Sequence, residues 1–546
     1  MNLRSVKFAA LLPALILVAL GLAACGGSSS SVQLAENTGT RTGEPTKEVN
    51  GIDWYTFYRP VLSLVTATTA DYPEEMVAAN LCESVVRLGT DYKLVPGVTD
   101  FTENKEATEF TYKVRSGAKF WDGSPVTAAD VIFSIEANTS APFGSTNAPV
   151  AAEMASMKAV GSDTVKITLK QPDIRFNYKL AGNAGVVYQQ KQAEAAGNEW
   201  GTPAGKVMCS GPYKLGSWSP ASSLTIVRND NYWSTDYKPL VKQITFTWPQ
   251  DPNTVANGFN SGSIDGGWNV PPSIVSPLQN SSAGSMYVGG PETGLQVYGL
   301  VAGNLKEGPI SDPRVRQALS LAIDRKAIAA KLFDGAAEPL YTLAPPGSFS
   351  YSKAEFKAAA AKAATGLDVS KAKALLKEAG DPSPQLTLGY PAGDPLATPT
   401  AVAIQSEAAA AGIDITLKPM PAAQYGSLFL NLPEKDVDLI FTVYAPSVEL
   451  DPLPYYQMAL SSTGVDNFNA YSDPQTEKLM TEAAAATDTK VRTEDTLKVQ
   501  EIFTEQMPWI PLQSLPVTVW QNKAITGAPT TFTYLESPWA AELGGK

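Results

Sequence analysis

The 546-residue sequence contains no histidine. That absence removes Ser-His-Asp and Cys-His nucleophile systems, HExxH zinc sites and histidine metal cages together. Neither a Walker A loop nor GxGxxG occurs, so nothing supports nucleotide binding. Carboxylate-pair chemistry survives these exclusions, and a hydrolase working through two acids stays on the table. Cysteine is scarce, with three in the chain. Positive charge is in deficit: 42 Lys and Arg face 54 Asp and Glu, a formal net charge of −12. Such a surface argues against nucleic acid as a partner and against a polybasic membrane patch. What is there is 44% hydrophobic and 18% charged, enough apolar material for two or three buried cores.

An apolar segment at residues 8–22 holds 15 residues including Pro13, below the roughly 20 that a membrane-spanning helix wants. Arg4 and Lys7 precede it, and "LAACGGSSS" at residues 22–30 closes it, so start, apolar stretch and small-residue site have signal-peptide form. The pair Ala23-Ala24 before Cys25 resembles the bacterial lipobox, which implies cleavage after residue 24 and a diacylglycerol on the Cys25 thiol. An uncleaved signal anchor with an incidental cysteine is the alternative. Acyl chains would tether an exported protein, at about 0.8 kcal/mol per buried CH₂. Losing residues 1–24 removes two positive charges and no acid, leaving −14. Residues 25–50 are polar with almost no apolar periodicity and read as a flexible leash, spanning on the order of 25–30 Å as a coil.

Cys82 and Cys209 remain in a compartment that permits oxidation. An even remainder predicts a bridge, with two separate buried thiols as the alternative. Strict alternation predicts half-buried strands at residues 110–115, 164–169 and 243–248. Asp312 and Pro313 open a helix whose core face is Val315, Leu319, Ala322 and Ile323. Asp368 caps another, with Ala372, Leu375, Leu376 and Ala379 on one face and Gly380 as its stop. The quartet Asp122-Gly123-Ser124-Pro125 reads as a structural turn followed by Thr127 as a helix cap, and Gly211-Pro212-Tyr213 as a packed turn.

Longer blocks carry a resemblance over nearly the whole mature chain. "LVPGV" (94–98), "YKVRSGAKFWDGSPVTAADVIFSIE" (112–136), "CSGPYKLGSWSPASSLTIVRNDNYW" (209–233), "SGSIDGG" (261–267), "DPRVRQALSLAIDRKAI" (312–328) and "KALLKEAG" (373–380) resemble the extracellular solute-binding proteins of family 5, which serve peptide and nickel importers. The resemblance implies an α/β, two-lobed periplasmic-binding-protein-like fold (type II, cluster C) with a subdomain inserted in lobe I. Block matching sets lobe I at 51–295 and 512–546, the insertion at about 88–200 and lobe II at 296–511. Both Cys82 and Cys209 then fall in the base of lobe I.

In peptide-binding members an extended peptide pairs with two short strands between the lobes, a form of β-strand addition. By matching, these fall at Ala70, Asp71 and Tyr72 and at Val443, Tyr444 and Ala445, with Tyr425 as an aromatic cover. Trp268, after the double glycine of "DGGWNVPP", is a further candidate wall. The family's amine-anchoring aspartate matches Ser447 here, and a basic partner matches Phe441; Glu449 or Asp451 takes the anchoring role if the loop is shifted. The implied function is a lipid-anchored receptor at the outer face of the cytoplasmic membrane, monomeric, passing an oligopeptide or peptide-like solute to the permease and ATPase of an importer. It implies no catalysis, metal or cofactor. A nickel chelate, saccharide or tetrapyrrole is the alternative solute, and a hydrolase using Glu449 and Asp451 the distant alternative.

Overall fold

Strands form where apolar and polar residues alternate. Glu109–Val114, Thr164–Leu169 and Gln243–Thr247 each bury every second side chain. Caps set the helix starts: Asp312 Oδ1 accepts from the Arg314 N–H at 2.8 Å, and Asp368 Oδ1 from that of Lys371 at 2.9 Å. Thr127 and Asp130 form a reciprocal capping box. The computed structural model describes residues 35–37, 39–57, 59–67, 71–143, 145, 147–333, 335–394, 396–429, 436–444 and 450–546. Residues 1–24 and Cys25 lie outside them.

Three larger sheets organise the described chain. An eight-stranded mixed sheet runs in the order Ala35–Asn37, Gly284–Gly289, Thr518–Asn522, Gly266–Trp268, Ile52–Tyr55, Gln243–Thr247, Ser223–Arg228 and Tyr213–Ser219. A six-stranded sheet is ordered Glu338–Pro339, Trp509–Leu515, Gln296–Ala302, Leu439–Tyr444, Gln385–Pro391 and Asp414–Met420. A four-stranded antiparallel sheet, Thr99–Glu103, Glu109–Val114, Thr164–Leu169 and Met154–Val160, belongs to a segment inserted between strands of the eight-stranded sheet. The two large sheets therefore anchor two lobes, and the chain passes between them at residues 290–295 and 516–517.

Residues 39–50, read from the sequence as part of a free leash, are instead tied to the body. The N–H of Thr42 donates to Ala528 O and that of Thr46 to Gly545 O, each at 2.9 Å, and Val49 N–H donates to Leu240 O at 2.8 Å. Residues Ala35–Asn37 pair in parallel with Gly284–Gly289. Main-chain pairing holds this segment, which is why no apolar periodicity announces it. Among the described residues no helix is long and apolar enough to cross a membrane.

The helix Tyr72–Leu81 is fixed at its end by a disulfide between Cys82 and Cys209, 127 residues apart in sequence. Two residues on, the Gly211 N–H donates to Leu81 O at 2.9 Å, and a Cβ at Gly211 would meet that carbonyl oxygen at 2.4 Å. Only glycine lets the two backbones come this close. A loop of this length predicts that replacing both cysteines by serine lowers unfolding free energy by about 4–5 kcal/mol in the chain-entropy model. The urea midpoint of the double variant, measured against the oxidised protein, checks this.

Candidate ligand-binding site

The strand Leu439–Tyr444 lies against Gln296–Ala302 along its whole length, antiparallel, from Leu439 opposite Ala302 to Tyr444 opposite Val297. On its other side it pairs with Gln385–Pro391 only at Leu439 and Ile440. That neighbour pairs with Asp414–Met420 along its whole length, from Gln385 opposite Asp414 to Pro391 opposite Met420. The parallel strands Leu439–Tyr444 and Gln385–Pro391 splay at their carboxyl ends, the position where open α/β sheets receive ligands. Tyr425, on the helix Ala422–Ser427, fills the start of the gap by donating its hydroxyl to Phe441 O, and burial pushes that phenol above its ordinary range. By the two-residue period of a strand, the N–H and C=O of Val443 leave on the same side as the Phe441 carbonyl. Among the described residues no strand covers them; the carbonyl accepts only a 3.4 Å bond from the neighbouring Thr442 hydroxyl, and Val443 is 52% exposed.

Where the resemblance implied a short strand at residues 70–72, Asp71 and Tyr72 instead open the helix Tyr72–Leu81, because the Asp71 carboxylate caps it. Asp71 caps it through Oδ1, which accepts from Tyr72 N–H at 2.8 Å, while Arg59 grips Oδ2 with Nη2 at 2.5 Å and Glu74 Oε1 with Nη1 at 2.7 Å. The Tyr72 hydroxyl meets the Gln296 side chain, the first residue of the six-stranded sheet after the chain has crossed from the other lobe. So Tyr72 reaches across the seam, whereas Asp71 is spent on the helix end and on Arg59.

Two other sequence candidates, Trp268 and Asp451, occupy different places from those expected, and Tyr444 lies on the expected strand with its side chain turned into the core. Trp268 is fully buried, stacked on Tyr534 at 4.3 Å and flanked by Trp54 and Trp539, with its indole N–H donated to Pro529 O at 2.9 Å. It fills the seam of the eight-stranded sheet and walls no cleft. Its double glycine serves the same core, since a Cβ at Gly266 would meet the Trp54 ring at 2.3 Å. Tyr444 is likewise buried: its ring packs on Trp509 and its hydroxyl donates to Tyr455 O at 2.7 Å. Asp451 caps the helix Pro452–Leu460 and accepts from Arg492 Nε and Nη2 at 2.9 and 2.7 Å and from the Tyr351 hydroxyl at 3.0 Å. Those bonds consume its acceptor capacity, so it is no amine anchor. Ala70, Ala445, Ser447 and Glu449 lie outside the described residues.

Sequence reasoning passed over a small cavity beside the disulfide, lined by Thr66, Glu75, Ala79, Cys82, Asn183 and Glu536. The Asn183 amide donates to Glu75 Oε1. Burial, with Asp71 and Glu74 nearby, pushes Glu75 up to about 7, and burial together with Glu75 pushes Glu536 well above the carboxylate range. Glu74 and Glu75 stand in the first turn of the helix Tyr72–Leu81. Only the fold brings Glu536 against Glu75.

A family model for bacterial extracellular solute-binding proteins, family 5 Middle, matches residues 93–467. The chain belongs to that family. It is 26% identical over 474 residues to the periplasmic murein peptide-binding protein MppA of Escherichia coli K12, covering 82% of this chain and 85% of MppA. It is 24% identical over 470 residues to the oligopeptide-binding protein OppA of Bacillus subtilis, covering 82% and 84%. Among solved structures, the ABC transporter substrate-binding protein CtaP of Listeria monocytogenes superposes with a TM-score of 0.78 at 20% identity, over 91% of this chain and 100% of CtaP. Family 5 proteins bind substrates for ABC importers, and the two-lobed fold here is theirs.

The Glu75 and Glu536 pair gives this family 5 protein a pH dependence of a definite sign. A carboxyl held above its ordinary 4.5 in the folded state binds its proton more tightly there than in the unfolded chain. Folding stability is therefore lost as pH rises from about 4.5 through about 7. Urea midpoints at pH 5 and pH 8 should fall with pH in the native protein, and Glu75→Gln should flatten that fall and raise the midpoint at pH 8.

Proposed function

We propose that this family 5 protein captures an oligopeptide or peptide-like solute between its lobes and hands it to the membrane permease of an ATP-driven importer. A lipid on Cys25 holds it to the outer face of the cytoplasmic membrane in this reading, and no step is catalytic. The observation that carries the peptide assignment is the main-chain edge at Val443, beyond the Gly389 and Ile440 pair, whose N–H faces no strand among the described residues. Main-chain groups in a cleft pair with any extended peptide whatever its side chains, which is how strand addition gives affinity without sequence preference. Tyr425 beside that edge offers an aromatic face for stacking. Relatives named for binding murein peptide, oligopeptide and glutathione support a peptide-like solute. Closure is a population shift: the solute must bind the closed lobes better than the open ones.

Mass spectrometry of small molecules released on denaturing the gently purified full chain tests the assignment. Peptides of similar length are expected; a single non-peptide mass overturns the peptide reading and leaves the binding role. Val443→Pro removes the N–H that faces the open edge and disturbs no pairing with Gln296–Ala302. It should weaken peptide binding by about tenfold, measured calorimetrically, with the thermal midpoint little changed.

A further inference from the structure

Arg175 is buried, 8% exposed, and its Nε and Nη2 have no hydrogen-bond partner. Each of the other arginines among the described residues holds an oxygen within 3.0 Å, as Arg41 does with Glu44, Arg325 with Leu340 O and Arg492 with Asp451. Arg175 stands at the start of the short helix Phe176–Lys179, just after the four-stranded sheet. Its Cζ lies 3.7 Å from the centre of the Tyr178 ring, a contact that fixes the plane of the guanidinium.

Two acids are near, and both are taken. Asp173 accepts the Arg175 backbone N–H through Oδ1 and pairs through Oδ2 with Lys179 Nζ at 2.8 Å. Asp451, on the other lobe, comes no nearer than 3.8 Å to Arg175 Nε and is saturated by Arg492, Tyr351 and its own helix cap. The fork therefore sits where the inserted subdomain faces the lobe that carries the Val443 edge, beside the residue that opens the next helix of that lobe.

A buried guanidinium without acceptors is costly, and its planar array of donors matches a carboxylate two bonds at a time. We propose that Arg175 receives a carboxylate of the solute, either the C-terminal group of a peptide or an acidic side chain. This rests on the peptide reading above and gives it a polarity. With Asp451 filled by Arg492, this part of the seam offers a cation where the sequence suggested an amine anchor.

The test uses the full chain, its Arg175→Gln and Arg175→Lys variants, and three probes in calorimetry. These are a pool of free-acid oligoalanines, the same pool C-terminally amidated, and amidated oligoalanines carrying one glutamate. Native protein should bind free acids about tenfold or more tighter than plain amides, Arg175→Gln should bind both at the amide level, and Arg175→Lys should recover part of the difference. Tight binding of the glutamate-bearing amides alone supports the proposal with the side chain as the carboxylate source. Equal binding of acids and amides by the native protein, or discrimination that survives in Arg175→Gln, overturns the proposal and leaves the peptide reading standing. Binding of no probe overturns the peptide reading and this assignment with it. Thermal midpoints separate a packing role: removing an unbonded buried charge should not lower the ligand-free midpoint. A lower midpoint with equal losses for every probe overturns the proposal.

Discussion

The site depends on the two places where the chain passes between its large sheets. These passages, at residues 290–295 and 516–517, run side by side: Gly289 N–H donates to Val517 O at 2.8 Å, and Gln296 stands opposite Leu515. The passages are bonded at their ends, and between those ends Pro291–Thr293 forms a single 3-10 turn opposite the two-residue passage. The lobes are thus joined by two short adjacent connections, and what each presents to the other is set by how it holds its own wall.

The two walls are built differently. On one side the helix Tyr72–Leu81 is held from three directions: the disulfide at its end, the Trp539 indole donating to Met76 O at 2.8 Å, and Asn80 Oδ1 accepting the Ala540 N–H at 2.8 Å. That wall moves as a block with the eight-stranded sheet. On the other side a strand outruns its neighbour and offers main chain. The contact of Tyr72 with Gln296 lies at the hinge end of the seam, whereas Arg175 approaches Asp451 from the inserted subdomain, well separated in sequence from both passages.

Local features were legible in the sequence because their causes are local. Period-two alternation placed the strands Glu109–Val114 and Thr164–Leu169, and Asp312, Asp368 and Thr127 marked helix starts, each a matter of residues within four of one another. The site was less legible because its causes are remote. Asp451 is silenced by Arg492, 41 residues away, and Trp268 is claimed by Tyr534 and Trp539 from the far end of the chain. The double glycine before Trp268 does permit a close approach, but the group that approaches is the Trp54 ring. Arg175 carries no motif at all; its isolation from acceptors exists only once both lobes are assembled.

A bare strand edge is also a hazard. Unpaired N–H and C=O groups recruit any extended chain, including the same edge of another copy, which is how sheet proteins begin to aggregate. Here the Val443 N–H leaves on the open side, with Tyr425 occupying the Phe441 carbonyl two residues before it. With the Phe441 carbonyl taken and Ile440 already paired with Gly389, a second copy cannot continue a ladder of bonds in that direction. The interruption that checks self-association also limits what one wall can offer, so affinity for a solute must come jointly from both walls.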